Sequence, residues 1–477
     1  MRKIPFFILS VLAISFWASC HKDPIITASS AKLNFSEDSV LFDTVFTTLG
    51  STTKQFKIYN RNSKSIIISS IKLGLGNNSM FRLNVNGVPG KSFTNIELSG
   101  KDSIFIFVEV TVDPNNVNTP FIVTDFVVFE TNGNIQNVNL VAFGQNAHYI
   151  RPNNFPKNGL PNYYVLGCNT TWNDSLPYVV YGFAVVDSLC NLTITKGTKI
   201  YFYKNSGLWV FKGGTLKVNG TKDAPVTFQG VRLEQEYKDL PGQWDRIWIN
   251  EGSATATGNV IDYAVIKNGF IGIQAETLDP TNALGNNLKI TNTIIKNMAG
   301  MGILSRIYNI NGYNNVISNC GQYALAITGG GNYEFDYCTF ANYWSLSQRK
   351  TPSVFLSNYF IRGNINYLNN LDSAKFVNCI IYGNTANEIG TDFNSAVASN
   401  YKFDHSLIKI DPATPTPTSN YIGVIKNKDP GFKNLITYEL GSSSPAINSG
   451  DPSINLPLDL KGNSRDSAPD MGAFEFK

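Results

Sequence analysis

Four short segments decide the fold of this chain: NVIDYAVIKN (259–268), LKITNTIIKN (288–297), YEFDYCTFAN (333–342) and AKFVNCIIYGN (374–384). Each has an apolar strand-like run that ends in a polar residue, then a second apolar run and a closing Asn. The segment YKFDHSLIKI (401–410) and a weaker copy, INGYNNVISN (310–319), share the pattern. Self-similarity at a period of 20 to 50 residues is typical of stacked repeats, which bury a continuous core only together.

The asparagines that close these copies indicate the length of one turn. They are Asn268, Asn297, Asn319, Asn342 and Asn384. Their spacings of 29, 22, 23 and 42 residues predict turns of about 22 residues plus loops. The last spacing fits two turns, or one turn with an insertion at 343–373. We interpret these asparagines as structural, because Asn tolerates a left-handed bend and its amide can bond to the Asn one turn away.

The same alignment predicts an interior column of apolar side chains. Alternate side chains of a strand point to opposite faces, so one residue of each copy occupies the equivalent inward position. These residues are Ile266, Ile295, Ile317, Phe340 and Ile381.

The repeat region resembles right-handed parallel β-helix proteins of the pectate-lyase-like superfamily. The matching stretches are TITKGTKIYFYKNSGLWVFKGGTLKVNGTKDAPVTFQG (193–230) and PGQWDRIWINEGS (241–253), within a region from about Tyr149 to Ser442. The resemblance implies an all-β chain with a right-handed parallel β-helix (a solenoid) over 148–442.

The residues before the repeats predict a separate β-sandwich at 33–147. Strand-like runs include FKIYN (56–60), SIIISSIKL (65–73) and SIFIFVEVTV (103–112), and Asn-Gly turns follow at 86–87 and 132–133. The opening LNFSEDSVLFDTVFTTLGSTTKQFKIYNRNSKSIIISSIKL (33–73) and the closing VNLVAFGQ (138–145) resemble Hydin-type immunoglobulin-like domains. Such domains are generally spacers or protein-contact modules.

The first twenty residues, MRKIPFFILSVLAISFWASC, predict an export signal. Arg2 and Lys3 precede an apolar run too short to span a bilayer, and small residues lead to Cys20. This order resembles bacterial lipoprotein signals, although Trp17 stands where a Leu-like residue is usual. Lipoproteins of the Bacteroidetes group tolerate such variation, and His21-Lys22-Asp23 resembles their short charged surface-export tag. The resemblance implies cleavage before Cys20, lipid on its thiol, a tether over 21–32 and a surface-exposed place on the outer membrane. The alternative is an ordinary secreted protein with an incidental cysteine.

The C-terminal residues 443–477 resemble the closing module of the choice-of-anchor class of β-helix proteins. The matching stretch is SSPAINSGDPSINLPLDLKGNSRDSAPDMGAFEF (443–476). We expect its Asp and Arg side chains to pair with each other in a polar cap that covers the open end of the solenoid. The mixture of Asp and Arg suits ion pairs better than an all-oxygen metal cage, so no metal site is predicted.

Composition excludes several classes of function. Charged residues are only 16% of the chain and the net charge is +4, with no Lys/Arg run longer than two, so no basic face for nucleic acid is indicated. With three His and no C-x-x-C pair, neither a metal, a redox centre nor a cofactor is predicted. An exported location permits disulfides, and Cys168 with Cys190 is the pair that we expect.

Marks of polysaccharide-cleaving β-helix enzymes are absent from the sequence. There is no Asp-Asp pair, no acidic triplet in the repeats and no repeated calcium motif. The best catalytic candidates lie in or just after the loop VRLEQEYKDLPGQ (231–243), which could overhang a groove, although such charged stretches are usually solvated surface. These candidates are Glu234, Glu236, Asp245 and Arg246.

Exposed aromatic rings and basic side chains are the candidates for glycan binding, since a ring face covers the apolar face of a sugar. They are Trp172, Trp209, Trp344, Arg349, Lys350 and Arg362, the last three in the stretch SLSQRKTPSVFLSNYFIRGNINY (345–367). The leading hypothesis is a monomeric, non-catalytic binding or adhesion lipoprotein that contacts a polysaccharide or another surface protein. The alternatives are a polysaccharide lyase or glycoside hydrolase, supported by fold analogy alone, and a purely structural envelope protein.

Overall fold

A computed structural model describes residues 24–115, 117–252, 258–278 and 287–477. The candidate lipidation site Cys20 lies outside these residues. The chain divides into two compact units, Met1–Asn146 and Ala147–Lys477. Within the described ranges, no helix has the length and apolar character to cross a bilayer.

The first unit is a sandwich of two five-stranded sheets, as predicted. Its strands are β1 (Asn34–Phe35), β2 (Ser39–Phe46), β3 (Lys54–Tyr59), β4 (Ile66–Leu73), β5 (Phe81–Val85), β6 (Val88–Gly90), β7 (Ser92–Leu98), β8 (Ser103–Val110), β9 (Phe121–Thr131) and β10 (Asn134–Gln145), with a 3-10 turn at Gly76–Asn78. The sheet orders are β1-β3-β8-β5-β6 and β2-β10-β9-β4-β7. Phe56 of one sheet packs edge-on against Phe129 of the other, with ring centroids 6.2 Å apart.

The second unit is built from short strands, most of which pair in parallel. They are β11 (His148–Ile150), β12 (Tyr163–Val165), β13 (Thr170–Trp172), β14 (Tyr178–Val180), β15 (Phe183–Val186), β16 (Asn191–Thr195), β17 (Lys199–Phe202), β18 (Gly207–Val210), β19 (Thr215–Asn219), β20 (Val226–Gly230), β21 (Ile247–Ile249), β22 (Asn259–Asp262), β23 (Ala264–Lys267), β24 (Ile271–Glu276), β25 (Asn287–Thr291), β26 (Ile294–Met298), β27 (Met301–Tyr313), β28 (Val316–Cys320), β29 (Leu325–Asp336), β30 (Thr339–Asn342), β31 (Val354–Ser357), β32 (Tyr359–Arg362), β33 (Ile365–Leu368), β34 (Leu371–Val377), β35 (Ile380–Gly383), β36 (Ile389–Asp392), β37 (Ser399–Asp404), β38 (Leu407–Ile408), β39 (Tyr421–Ile422) and β40 (Ile425–Lys426). A 3-10 turn lies at Gln235–Tyr237.

These strands stack into three faces, which is the architecture of a parallel β-helix. Face A contains β12, β15, β18, β21, β24, the first halves of β27 and β29, β31 and β36. Face B contains β13, β16, β19, β22, β25, the second halves of β27 and β29, β34, β37 and β39. Face C contains β11, β14, β17, β20, β23, β26, β28, β30, β35, β38 and β40.

The predicted interior column is confirmed residue by residue on face C. Successive strands pair Ile266 with Ile295, Ile295 with Ile317, Ile317 with Phe340 and Phe340 with Ile381, and all five are fully buried. The long spacing is therefore one turn with an insertion, because β30 pairs directly with β35. The insertion carries the antiparallel hairpin β32–β33.

The closing asparagines fall into two groups. Asn268, Asn297 and Asn319 adopt positive φ, and the side-chain amides of the last two each bond to the preceding Asn one turn away at 3.4 Å. Asn342 and Asn384 do not continue this ladder: Asn342 Oδ1 accepts the N–H of Cys320, and Asn384 Nδ2 donates to the carbonyl of Trp344. A second corner, between faces B and C, was not anticipated. Its positive-φ residues are Tyr263, Asn292, Asn314, Tyr337, Asn378 and His405.

The C-terminal module lies along the side of the solenoid, which corrects the expectation that it covers the open end. Leu460, Ala473 and Phe474 pack on Val316 and Ala341 of the outer surface of face C. Their contact continues toward Ile380 and Leu407. The reason is that face C carries an outward apolar strip, which needs cover from water over several turns.

The charges of this module form internal contacts, but the expected Asp–Arg pairing is wrong. Arg465 pairs with Glu475 at 3.2 Å, and both side chains are nearly fully buried. Asp459 instead accepts backbone N–H groups, including those of Lys461 and Asn463. The aspartates thus hold turns of the module in place.

Candidate functional site

Face A carries a cleft of about 550 Å³, which we call the Arg246 cleft. Its lining comes from five separate parts of the second unit, brought together by the stacking of turns. The lining residues are Gly159, Leu160, Pro161, Phe183, Asn205, Gly242, Trp244, Asp245, Arg246, Trp248 and Phe270. Sequence reasoning pointed to Asp245 and Arg246, and the structure places both in this cleft.

Trp244 fixes the backbone that presents the two charged residues. Its ring is 1% exposed, stacks on Phe202 with centroids 4.6 Å apart and donates from Nε1 to the carbonyl of Lys267 at 2.8 Å. Gly269 is required beside it, because a Cβ there would lie 2.9 Å from the indole. The N–H groups of Phe270 and Ile271 bond to the carbonyl of Asp245, which locks the neighbouring turns together.

Asp245 and Arg246 form an ion pair at the surface of the cleft. Nε and Nη2 of Arg246 both lie 2.8 Å from Oδ1 of Asp245, and each side chain keeps about a quarter of its surface exposed. Nη1 of Arg246 donates to Oε1 of Gln274. The guanidinium is thus held in one orientation while it remains accessible to a ligand.

Phe270 offers an aromatic surface next to this pair. Its side chain is 46% exposed, which is high for a phenyl ring, and the Arg246 guanidinium lies 6.0 Å from the ring centroid. Leu160 on the lining is 41% exposed. An exposed ring beside a fixed donor and acceptor is the combination by which proteins bind sugar rings.

A buried polar network centred on Glu276 continues from the cleft along face A. Glu276 is 3% exposed, and its Oε1 accepts from Trp248 Nε1 at 2.9 Å and from Gln274 Nε2 at 2.6 Å. Its Oε2 accepts from Arg306 at 2.8 Å and lies 3.8 Å from the guanidinium of Arg362. Three hydrogen bonds and a second guanidinium therefore hold this carboxylate in one place beneath the surface of face A.

Two of the predicted aromatic and basic contacts lie near this network. Trp209 points outward from face A but is 6% exposed, because it stacks on Trp248 with centroids 4.7 Å apart. Arg362 lies at the end of β32, with its guanidinium 5.6 Å from the ring of Phe360. Both support the region around the cleft without lining it.

The structure does not bring the other catalytic candidates to the cleft. Glu234 is 7% exposed and pairs with Arg232 at 3.5 Å, whereas Glu236 is exposed in the 3-10 turn. Neither lines the cleft. Gln243 Nε2 donates to the carbonyls of Tyr237 and Leu240, which fixes the loop 231–243. Gly242 of this loop lines the Arg246 cleft, and Asp239 and Pro241 line a separate pocket.

Two glycan-binding candidates are corrected by their burial. Trp172 is 2% exposed, since it faces the interior and stacks on Tyr178. Arg349 is buried as well and forms a bidentate pair with Glu388. Neither side chain can reach a ligand at the surface.

Trp344 and Lys350 lie elsewhere on the molecule. Trp344 is 8% exposed, donates from Nε1 to Ser347 at 2.9 Å and lines a separate pocket of about 340 Å³ together with Asn297 and Asn319. Lys350 is exposed. Neither residue lines the Arg246 cleft.

Cys168 and Cys190, the pair expected from the sequence, are joined by a disulfide that closes a loop of 22 residues in the first turns of the solenoid. The remaining cysteines among the described residues, Cys320, Cys338 and Cys379, are buried free thiols. Among the described residues no cluster of His, Cys, Asp and Glu could hold a metal ion.

One carboxyl group with a displaced pKa lies outside the cleft. Burial, followed by the nearby Glu334, raises the pKa of Asp336 to about 7, and Lys375 opposes the shift. Its Oδ1 is buried without a hydrogen-bond partner among the described residues.

Sequence reasoning missed Phe270, Gln274, Glu276 and Arg306. Each is an outward or corner residue of face A, and all four lie in β24 and β27 or immediately before them. The available signal was the alternation in IGIQAE (271–276), which puts Gln274 and Glu276 on the same side of a strand.

Comparisons with known proteins give remote likenesses only. No protein-family model matches the chain. No curated protein matches it. Among solved structures, the catalytic unit of a GH87 α-1,3-glucanase from Streptomyces thermodiastaticus is 10% identical over 78% of this chain and 89% of that chain, with a TM-score of 0.24.

Two further solved structures match shorter parts of the chain. A family 123 glycoside hydrolase from Clostridium perfringens is 7% identical over 25% of this chain and 30% of that chain, with a TM-score of 0.18. The seventh PapD-like domain of human CEP192 is 9% identical over 27% of this chain and 94% of that domain, with a TM-score of 0.17. Likenesses of this size indicate no shared activity, so the function has to be argued from the residues of the chain itself.

Proposed function

We propose that this chain is a non-catalytic carbohydrate-binding protein that holds a polysaccharide in the Arg246 cleft. The observation that carries the proposal is the exposed ring of Phe270 beside the fixed Asp245–Arg246 pair. The ring can cover the apolar face of a sugar while the ion pair supplies donors and an acceptor for its hydroxyl groups.

The absence of a second acid in the cleft supports binding over cleavage. Glycoside hydrolysis uses two carboxyl groups that flank the scissile bond. Among the described residues that line the cleft, Asp245 is the only carboxylic acid, and its Oδ1 is engaged by Arg246. Glu276, the acid of the neighbouring network, does not line the cleft; it is 3% exposed and accepts hydrogen bonds from Trp248, Gln274 and Arg306.

A retention experiment tests this proposal. The purified protein is run through native gels that contain acidic or neutral polysaccharides, one at a time. We expect retardation by at least one of them, weakened about tenfold by Phe270→Ala or Arg246→Ala. Phe105→Ala is the matched control, because Phe105 is similarly exposed at 40% but lies in the sandwich.

The same samples separate binding from catalysis. New reducing ends or unsaturated-uronate absorbance that depend on Asp245 or Arg246 would establish the lyase or hydrolase alternative and refute the proposal. Retardation that both Phe270→Ala and Arg246→Ala leave unchanged would also refute it, because the ligand would then lie outside the cleft.

We further propose that the chain is a lipoprotein tethered through Cys20 and exposed on the outer membrane. The support is the residue order of 1–20, with its basic start, apolar run and small residues before the cysteine. In cells fed radiolabelled palmitate, the protein should carry label and sediment with the outer membrane. Cys20→Ser should lose both, and label retained in that variant would contradict the tether.

A further inference from the structure

The outer surface of face C carries an apolar strip that the C-terminal module covers incompletely. Strand pairing sets Val265 beside Ile294, Ile294 beside Val316, and then Thr339, Ile380 and Leu407 in the same row. The module buries the row from Val316 onward. Val265 and Ile294 are only half-buried and lie on the floor of a groove of about 630 Å³.

The groove has apolar walls on both sides. Leu460 and Phe474 of the module form one wall, and Pro225 and Tyr263 at the corner between faces B and C form the other. A walled volume of this size lies within the range of small-molecule sites, roughly 300–1,000 Å³. The occupant therefore has a compact apolar body.

Positive charge surrounds the apolar floor. Lys222, Lys296 and Lys461 line the groove together with two acids. Lys461 pairs with Glu439 at 2.7 Å, and Lys222 lies 4.0 Å from the exposed Asp223.

Lys296 differs from the other two lysines. Among the described residues no carboxylate lies within ion-pair distance of it. It stands beside Lys267 on the same face. Burial, followed by the charge of Lys296, lowers the pKa of Lys267, and Asp239 opposes the shift. Two neighbouring ammonium groups at the end of an apolar floor leave positive charge that an anion would neutralise.

From this groove we infer a second ligand site, which takes a single-chain amphipathic anion: a hydrocarbon body on Val265 and Ile294, with a carboxylate or phosphate at Lys296. The charge complements the unpaired ammonium group, and the body completes the cover of the apolar strip. The site is independent of the proposed carbohydrate function, because it lies on face C and shares no lining residue with the Arg246 cleft.

Dodecanoate is the probe for a free ligand, and its uncharged analogue dodecanol tests the role of charge. In a titration that follows displacement of the fluorophore 8-anilinonaphthalene-1-sulfonate, we expect saturable binding of dodecanoate. Lys296→Gln should weaken binding of dodecanoate about tenfold, because it removes the positive charge opposite the carboxylate, and should leave binding of dodecanol unchanged. Lys199→Gln, on an exposed lysine of the same face that does not line the groove, is the matched control.

A second variant tests the apolar floor of the groove without a change of charge. Val265→Trp fills the floor and should abolish binding of both probes, while far-UV circular dichroism and the melting temperature stay near those of the parent. Equal affinity of dodecanoate for the parent and both groove variants would overturn the site. Binding to phosphatidylglycerol vesicles without binding to dodecanoate would overturn the single-chain ligand and assign the groove to a membrane lipid.

Discussion

Removal of the Arg349 guanidinium should destabilise the second unit strongly and leave ligand binding untouched. Arg349 and Glu388 are buried to within 1% of complete burial, and the two nitrogens of the guanidinium lie 2.6 and 2.9 Å from the two carboxylate oxygens. The guanidinium also donates to the carbonyl of Asn342 and to Asn384 Oδ1. Arg349→Met keeps the volume of the stem but removes all of these donors.

The size of the effect follows from what remains around Glu388. In the variant, its carboxylate keeps one hydrogen bond, from the N–H of Thr385, and stays in a dry interior. Breaking a buried ion pair by removing one partner costs about 3–5 kcal/mol, because the other charge is left uncompensated. The double variant Arg349→Met/Glu388→Met removes that charge too and should recover most of the loss.

Urea titrations followed by tryptophan fluorescence measure this prediction, since five of the six tryptophans lie between residues 172 and 344 of the second unit. Lys350→Met, on the adjacent exposed residue, is the control and should change the free energy of unfolding by less than about 0.5 kcal/mol. If Arg349→Met matches that control, or if it abolishes polysaccharide retention in a folded protein, the structural role given to Arg349 is refuted.

Three other outcomes follow from the structure. Burial raises the pKa of Asp336 to about 7 from an ordinary value of 3.8, so the free energy of unfolding should fall as pH rises through that window. In urea titrations, Asp336→Asn should be more stable than the parent at pH 8 but not at pH 3. Replacing both Cys168 and Cys190 by Ser opens a 22-residue loop and should lower the free energy of unfolding by about 3 kcal/mol. An unchanged free energy of unfolding would show that the disulfide does not stabilise the protein. Trp244→Ala should lower the free energy of unfolding by about 3–5 kcal/mol and weaken polysaccharide retention as much as Arg246→Ala does. Unchanged retention would show that Trp244 does not position the residues of the cleft.

The repeat was predictable from the sequence because its signal is local and recurs. Ile266, Ile295 and Ile317 each lie in a short apolar run with the same neighbours, so register follows from alignment alone. The orientation of a single aromatic ring, inward or outward, does not follow from such an alignment. Trp172 pairs with the inward Ile194 and is core, whereas Trp209 pairs with Trp248 and faces outward.

The cleft was only half predictable for a related reason. Asp245 and Arg246 stand out in the sequence as a charged pair after a turn. Phe270 reaches the cleft only because its own turn stacks on the turn that carries this pair. The prediction of Arg349 as a glycan-binding residue was wrong because its partner, Glu388, lies 39 residues away, in a stretch without a charge pattern that would indicate a pair. Contacts between stacked turns, rather than composition, therefore determine which of these residues reach the cleft and which are buried.

The most direct test of carbohydrate binding in the Arg246 cleft is a calorimetric titration of the protein with oligosaccharides cut from the retained polysaccharide, with products assayed in the same cell. We predict saturable heat with no new reducing ends or unsaturated uronate, about tenfold weaker binding in Phe270→Ala and parent-like binding in Phe105→Ala. Heat that Phe270→Ala leaves unchanged, or product that accumulates during the titration, would contradict it.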